Sequence, residues 1–240
     1  MTKAFIKIVW ALSLCLVTGG IASAQKELPK NRPYADYRHF FLGFHVGVHT
    51  QDLIIANQPS SLMGEEILPM YAEVPVFSPG FSVGIIFDYS PMLGIDLRIM
   101  PTLHLAERTI SFSSNAKDVV DSFSLKSNMI EIPLLLKYSS SRLNNIRPYI
   151  VGGPYASLMI GQKEQAVIRF KPFDYGFKIG VGCDIYLPFF KLTPEFSLSY
   201  GIPNIIEYNR PDLIDDRRYN FTKIMARANS RMVLLTFVFE

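Results

Sequence analysis

The sequence predicts an all-β protein: one eight-stranded antiparallel, up-and-down β-barrel that crosses a membrane with its strands. Three observations predict it. Residues 1–24 read as an export signal. No later stretch supplies the eighteen or so uncharged apolar residues that a spanning helix needs. Eight segments alternate apolar residues with small or polar ones at period two.

The export signal comes first. Lys3 and Lys7 flank an apolar run from Ile8 to Val17, followed by Thr18-Gly19-Gly20 and the small triplet Ala22-Ser23-Ala24, which places cleavage before Gln25. The run is too short for a membrane anchor. Cys15 follows Leu14 inside that run, which does not suit a lipid-attachment cysteine, so the mature chain keeps Cys183 alone. On the apolar face of a strand, Cys183 reads as a small hydrophobe.

Composition agrees with export toward lipid. Of 240 residues, 49% are hydrophobic and 19% charged, and the mean hydropathy is +0.19. Such a chain turns its apolar side to a large core or to lipid. Without Lys3 and Lys7 the formal charge of +3 falls to about +1, with no basic cluster to suggest nucleic acid.

The strands follow in order. Phe40 to Val48 sets Phe40, Leu42, Phe44, Val46 and Val48 against Phe41, Gly43, His45, Gly47 and, one residue on, His49. Phe81 to Ser90 sets Phe81, Val83, Ile85, Phe87 and Tyr89 against Ser82, Gly84, Ile86, Asp88 and Ser90. The third, Leu93 to Leu105, opposes Ile95, Leu97 and Ile99 to Asp96, Arg98 and Met100. The fourth, Ile130 to Tyr138, opposes Ile132, Leu134 and Leu136 to Glu131, Pro133 and Lys137. The fifth, about Arg147 to Ile160, is ambiguous as to face.

The sixth, Phe173 to Leu187, is the clearest, with Tyr175, Phe177, Ile179, Val181 and Cys183 facing away from Asp174, Lys178 and Asp184. The seventh runs from Lys191 to Tyr200 with Thr193 and Glu195 on its polar side, and the eighth from about Asn229 to Glu240. Connections alternate in length. Ser90-Pro91-Met92, Ser139 to Ile146 and Pro188-Phe189 are short; the stretches about 50–79, 106–125, 161–171 and 201–228 are longer and fall on the opposite, extracellular side. Residues 25–240 are thus one barrel domain.

A soluble eight-stranded barrel would show the same alternation with its apolar face inward. The polar face argues for lipid outside: it is rich in glycine, with isolated charges that suit a narrow lumen filled by a few long side chains. Phe40, Tyr89, Tyr138, Phe190 and Phe239 gather at the periplasmic strand ends, where rings favour the membrane boundary. The location implied is the bacterial outer membrane. Pro101, Pro133, Pro154 and Pro194 interrupt strand patterns, so bulges or early strand ends are expected there.

Nothing in the sequence assembles a catalytic site. His45 and His49 share a face but stand roughly 13 Å apart along an extended chain, too far for one metal. Zinc, phosphate-loop and nucleophile-elbow motifs do not occur. The expectation is therefore no enzyme activity, no cofactor, no metal and no small-molecule substrate. The lumen-face charges Asp96, Arg98, Glu131, Lys137, Lys178, Asp184, Lys191 and Glu195 read as a structural polar network, costly unless paired. Arg98 is expected to bond Glu131, Glu195 or both. An ion path is the alternative, against which an eight-strand interior is just wide enough for side chains. The fourth long connection carries mixed charges, including Glu207, Arg210, Asp212, Arg217, Arg218 and Lys223, and suits contact with other molecules.

Several strings, together spanning the mature chain, are similar to Bacteroidetes-type outer-membrane barrels: Ile130-Glu131-Ile132-Pro133-Leu134-Leu135-Leu136-Lys137-Tyr138, Arg147-Pro148-Tyr149, Phe173-Asp174-Tyr175-Gly176 and Pro194-Glu195. The stretch Arg38-His39-Phe40-Phe41-Leu42-Gly43-Phe44 and the ending from Arg231 to Phe237-Val238-Phe239-Glu240 resemble the PorT family. That resemblance implies a non-enzymatic component of the type IX secretion system, which exports proteases and adhesins bearing C-terminal sorting domains. Its partners would be outer-membrane lipid and other secretion components. The alternatives are a general envelope barrel of OmpX or OmpA type, serving adhesion or membrane integrity, and a small-solute channel.

Overall fold

The computed structural model describes residues 29–35, 38–57, 70–73, 79–114, 119–161, 169–208 and 225–240. The expected export signal and the charges from Arg210 to Lys223 lie outside them. The strands are β1 (Phe40–Asn57), β2 (Met70–Glu73), β3 (Pro79–Met92), β4 (Ile95–Ile99), β5 (Thr102–Leu105), β6 (Glu107–Ser114), β7 (Val119–Lys126), β8 (Asn128–Ser139), β9 (Ile146–Ile160), β10 (Phe173–Tyr186), β11 (Lys191–Gly201) and β12 (Met225–Phe239).

Pairing follows the ring order β1-β12-β11-β10-β9-β8, then β4 with β5, then β3, which returns to β1. Every pairing is antiparallel. Because β4 and β5 both pair with β3 and β8, they fill one position, and the ring has the eight positions the alternation predicts. Closure runs from Phe44↔Phe239 to Asn57↔Met225. A closed ring leaves no sheet edge, so backbone donors and acceptors are met inside hydrocarbon.

Side chains sort as the period-two pattern requires. On β10 the outward residues Phe177, Ile179 and Val181 are 59%, 61% and 56% exposed, while Lys178 between them is 0% exposed. The charges are inside and the large apolar groups outside, which is the sorting of a lipid-facing barrel. The outward face of β10 from Phe173 to Ile185 covers roughly 30 Å at the usual rise and a tilt near 40°, enough to cross the hydrocarbon layer. At the periplasmic end Phe40 packs on Tyr89 with ring centroids 4.9 Å apart, and Phe44 stacks on Phe239 at 5.1 Å. The strand of ambiguous face, β9, turns Tyr149, Val151, Tyr155 and Ser157 inward. Pro148, Ile150, Pro154 and Leu158 point out.

Two features differ from the expectation. Of the four prolines, only Pro101 coincides with a strand break, at Met100-Pro101 between β4 and β5. Pro133, Pro154 and Pro194 stay within their strands without a register shift, opposite Tyr155, Phe177 and Phe237. On the other side of Pro154 and Pro194 the pairing skips two residues and resumes in the same register, as antiparallel pairing tolerates when the flanking bonds hold. The second difference is in the stretches expected as long connections: β1 runs on to Asn57, and 106–125 is largely strand. β6 and β7 pair as a hairpin from Glu107↔Lys126, and β2 joins them in a three-stranded sheet. The hairpin continues β5 and β8 past Ala106 and Ser127, which remain linked by the Ser127 N–H donating to the Ala106 carbonyl at 2.9 Å.

Candidate functional site in the barrel lumen

The inward side chains form two tiers. The periplasmic tier centres on Arg98 of β4, which is 0% exposed. Its Nε and Nη2 donate to Asp88 Oδ1 and Oδ2 at 2.8 and 2.7 Å, a bidentate pair. Its Nη1 donates to Glu195 Oε2 of β11 at 2.8 Å, and the Tyr149 hydroxyl donates to that same oxygen at 2.7 Å. The Glu240 carboxylate stands 3.8 Å from Nη2 and pairs with Lys191. Lys137 donates to Asp184 at 2.7 Å, lies 3.8 Å from Asp96, and sits 4.3 Å over the Tyr149 ring. Asp184 also accepts from Thr193 at 2.9 Å, and Asp96 accepts from Ser90.

Of the two carboxylates expected beside Arg98, Glu195 is there and Glu131 is not. The ladder explains it. Arg98 lies opposite Leu135, whereas Glu131 lies opposite Thr102 in the next stretch of strand toward the extracellular side. Glu131 instead accepts from Lys178 Nζ at 2.7 Å, a contact made over the intervening strand β9 from β10. The main partner of Arg98, Asp88, was missed, although a signal existed: the tight Ser90-Pro91-Met92 turn folds β3 back so that Asp88 and Arg98 are direct ladder partners. Tyr149 was missed because the face of its strand could not be read. Glu240 follows outward-facing Phe239, so its inward direction was available from period two.

The extracellular tier is mostly neutral. His45 Nε2 lies 3.1 Å from Thr102 Oγ1. His49 Nδ1 lies 2.7 Å from Ser82 Oγ, which lies 3.0 Å from His104 Nδ1. Gln51 joins His49 at 3.1 Å and Ser127 at 2.6 Å. His104 Nε2 is 4.0 Å from Glu131 Oε1. Glycines make room for these rings. A Cβ on Gly84 would strike the His45 imidazole and the Pro101 carbonyl, and one on Gly182 would strike the Tyr149 phenol.

The tiers leave no wide path. Arg98, Lys137 and Lys178 are among the largest fully buried side chains, and Glu131, Glu195 and Asp184 are buried with them. At the periplasmic mouth a cavity of ≈ 260 Å³ opens between Arg38, Phe41, Met92, Arg147 and Tyr186. The segment at Asn31 is tied to that rim: Asn31 N donates to Asn145 at 2.8 Å and its Nδ2 to the Tyr186 carbonyl at 3.0 Å. The Arg142 guanidinium lies 3.7 Å over the Tyr186 ring and also bonds Asn31. Among the described residues no cluster of histidine, cysteine or carboxylate is arranged to hold a metal ion. Among the described residues the lumen packs and orients charge.

The family described as "Outer membrane protein beta-barrel domain" matches residues 23–207. Among solved structures the fold is similar to outer membrane protein OprG from Pseudomonas aeruginosa, at 9% identity over 90% of this chain and 96% of that one, with a TM-score of 0.45. It is also similar to outer membrane protein AlkL determined in DMPC bilayers (11% identity, 90% and 94% covered, TM-score 0.41). A third is Ail, the attachment invasion locus protein of Yersinia pestis (9% identity, 84% and 98% covered, TM-score 0.35). None of the curated proteins compared matches the chain. With most of the ring inside the matched span, the chain belongs to the outer membrane protein beta-barrel domain family and resides in the outer membrane.

Proposed function

We propose that this protein is a closed, non-enzymatic barrel that works through its exposed rims rather than through its lumen, as a component of type IX protein secretion. The observation that carries the first part is the cross-section at Arg98. There a guanidinium held by Asp88 and Glu195, with Tyr149 alongside, fills the middle of the ring with side chains exposed by 4% or less. An eight-stranded ring has room for packed side chains and little else, so contact surfaces are left as the working parts. The secretion role is supported by the PorT-like strings at Arg38 to Phe44 and Arg231 to Glu240. Its partners on this reading are other secretion components.

The second reading is a general envelope barrel for adhesion or membrane integrity. The match to an outer membrane protein beta-barrel domain supports it. Deleting the gene and measuring surface delivery of sorting-domain proteases separates the two. The secretion reading expects cargo held in the periplasm; normal delivery with a weakened envelope overturns it in favour of the second. The closed lumen has its own test. Refolded protein in planar bilayers is expected to give no steady single-channel conductance, and stable unitary currents would contradict it.

A further inference from the structure

The outward wall is interrupted in the sector of β1, β3 and β4. There β4 ends at Ile99 and β5 begins at Thr102. At the break Met100 is buried inside, and the Pro101 carbonyl accepts from the Ile85 N–H at 3.2 Å. The compact ring of Pro101 stands at one end of a groove of ≈ 690 Å³, bordered by Phe40, Leu42, Phe87, Tyr89, Leu97 and Ile99. Sites that take one small ligand measure about 300–1,000 Å³. From Leu97 to Pro101 the groove climbs roughly 10 Å at the usual rise and a tilt near 40°. That is about two thirds of one leaflet's share of a hydrocarbon core about 30 Å thick.

The periplasmic end of this groove carries a cation. The Arg38 N–H donates to the Ala35 carbonyl at 3.2 Å, and buried Ala35 donates to the Arg32 carbonyl at 3.0 Å. The backbone before β1 is thus fixed while Arg38 is exposed. His39 follows with Nδ1 3.1 Å from the Ser90 carbonyl, and the Ser90 N–H donates to the His39 carbonyl at 2.8 Å. These bonds tie the lip of the barrel between β1 and β3. Arg38 and His39 border the mouth cavity, and Phe41 borders both that cavity and the groove. Among the described residues no carboxylate pairs with Arg38. Asp96 and Asp184, which also line the cavity, are bonded to Ser90 and to Lys137. An exposed guanidinium at the head of an apolar groove, at headgroup depth, is complementary to an anion on a long hydrocarbon chain.

We propose that this sector seats one anionic glycerophospholipid of the periplasmic leaflet, with its phosphate against Arg38 and one acyl chain in the groove as far as Pro101. Two features select this occupant. The groove opens on the lipid-facing wall, where hydrocarbon is the medium that fills it. The short turns place this end of the strands on the periplasmic side, in the leaflet built of glycerophospholipid. Charge then sets the preference among headgroups. A guanidinium forks onto a phosphate, and it attracts a net anionic head more than a zwitterionic one, whose ammonium it repels. The inference rests on the outer-membrane location and is independent of the secretion reading.

The test is native mass spectrometry of full-length mature barrel released from nanodiscs of phosphatidylglycerol and phosphatidylethanolamine in equal amounts, with heat-dependent gel mobility as the fold control. The wild type is expected to retain one phosphatidylglycerol in preference to phosphatidylethanolamine. Arg38→Gln is expected to lower that retention about tenfold, the loss of one charge-assisted hydrogen bond. Ile99→Trp, which fills the groove, is expected to abolish it. Val181→Trp, outward on β10 across the ring, is expected to change nothing. Equal retention of the two lipids by the wild type, unchanged retention in Arg38→Gln, or equal losses in Ile99→Trp and Val181→Trp overturns the proposal. Should Ile99→Trp fail to fold, the wild type decides. Phosphatidylglycerol with a photoreactive diazirine on its acyl chain is expected to crosslink at Phe87, Leu97 and Ile99; crosslinks spread evenly round the ring overturn the proposal.

Discussion

The two tiers of the lumen are lined by the same strands with the same alternation, yet their chemistry differs in kind. Around Arg98 most partners are a guanidinium, ammonium groups and carboxylates, which only donate or only accept, with the Tyr149 and Thr193 hydroxyls bonded among them. Their bonds have one direction and the geometry is locked. Around His104 the partners are imidazoles, hydroxyls and an amide, which do both. At the periplasmic level charge pairs fix the ring; at the extracellular level the ion pair of Lys178 with Glu131 stands among groups that can either donate or accept.

The comparison breaks first at Arg98, where the largest effect is expected. Arg98→Met leaves Asp88 and Glu195 buried with no cation between them, and Glu240 loses a neighbour. Stranding a buried charge costs about 3–5 kcal/mol, and here more than one is stranded, so the upper end is expected. The measurement is the denaturant midpoint of barrel refolded into lipid vesicles. Lys178→Met strands Glu131 alone, with the His104 ring 4.0 Å away. Its cost is expected at the lower end of about 3–5 kcal/mol. Adding Glu131→Leu should return most of the loss, since replacing both members of a buried pair by apolar groups is often near neutral. If Lys178→Met cost as much as Arg98→Met, the two tiers would be equally rigid and the distinction would fail.

How much of this was legible beforehand depends on distance along the ladder. The ring of eight, the outward faces and the burial of Asp96, Arg98, Lys137, Asp184, Lys191 and Glu195 follow from period two, which is local. Asp88 was within reach through a three-residue turn. The Lys178–Glu131 pair was not, because it joins β8 and β10 over the strand between them. Its height depends on the stagger that β9 imposes between β8 and β10, and stagger accumulates from every register in the ring. The β6–β7 hairpin was hidden by its serines, which read as loop composition although Thr109, Ile110, Phe112, Phe123 and Leu125 punctuate them. The histidines were weighed only against each other along one strand. The spacing of His45 and His49 rules out a shared metal, and it says nothing of the Thr102, Ser82 and His104 that the neighbouring strands bring to them.

Smaller effects sharpen the comparison by asking how tightly the extracellular tier is packed. Gly84→Ala would push a methyl group into the His45 ring and the Pro101 carbonyl. The ring can rotate, but the carbonyl cannot withdraw easily, because it accepts from the Ile85 N–H at 3.2 Å and bridges the break between β4 and β5. Overpacking of this kind costs about 1–3 kcal/mol, and the expected loss falls within that range in the same vesicle assay. Gly152→Ala is the matched control on β9: its nearest neighbours are Ile179 Cγ2 and the Lys178 carbonyl, both 3.6 Å from the added carbon. With ordinary contact and no left-handed backbone, that substitution restricts the unfolded chain and is expected to be neutral or to stabilise by about 0.4–1 kcal/mol. Equal outcomes for the two glycines would mean that the extracellular tier has slack around His45.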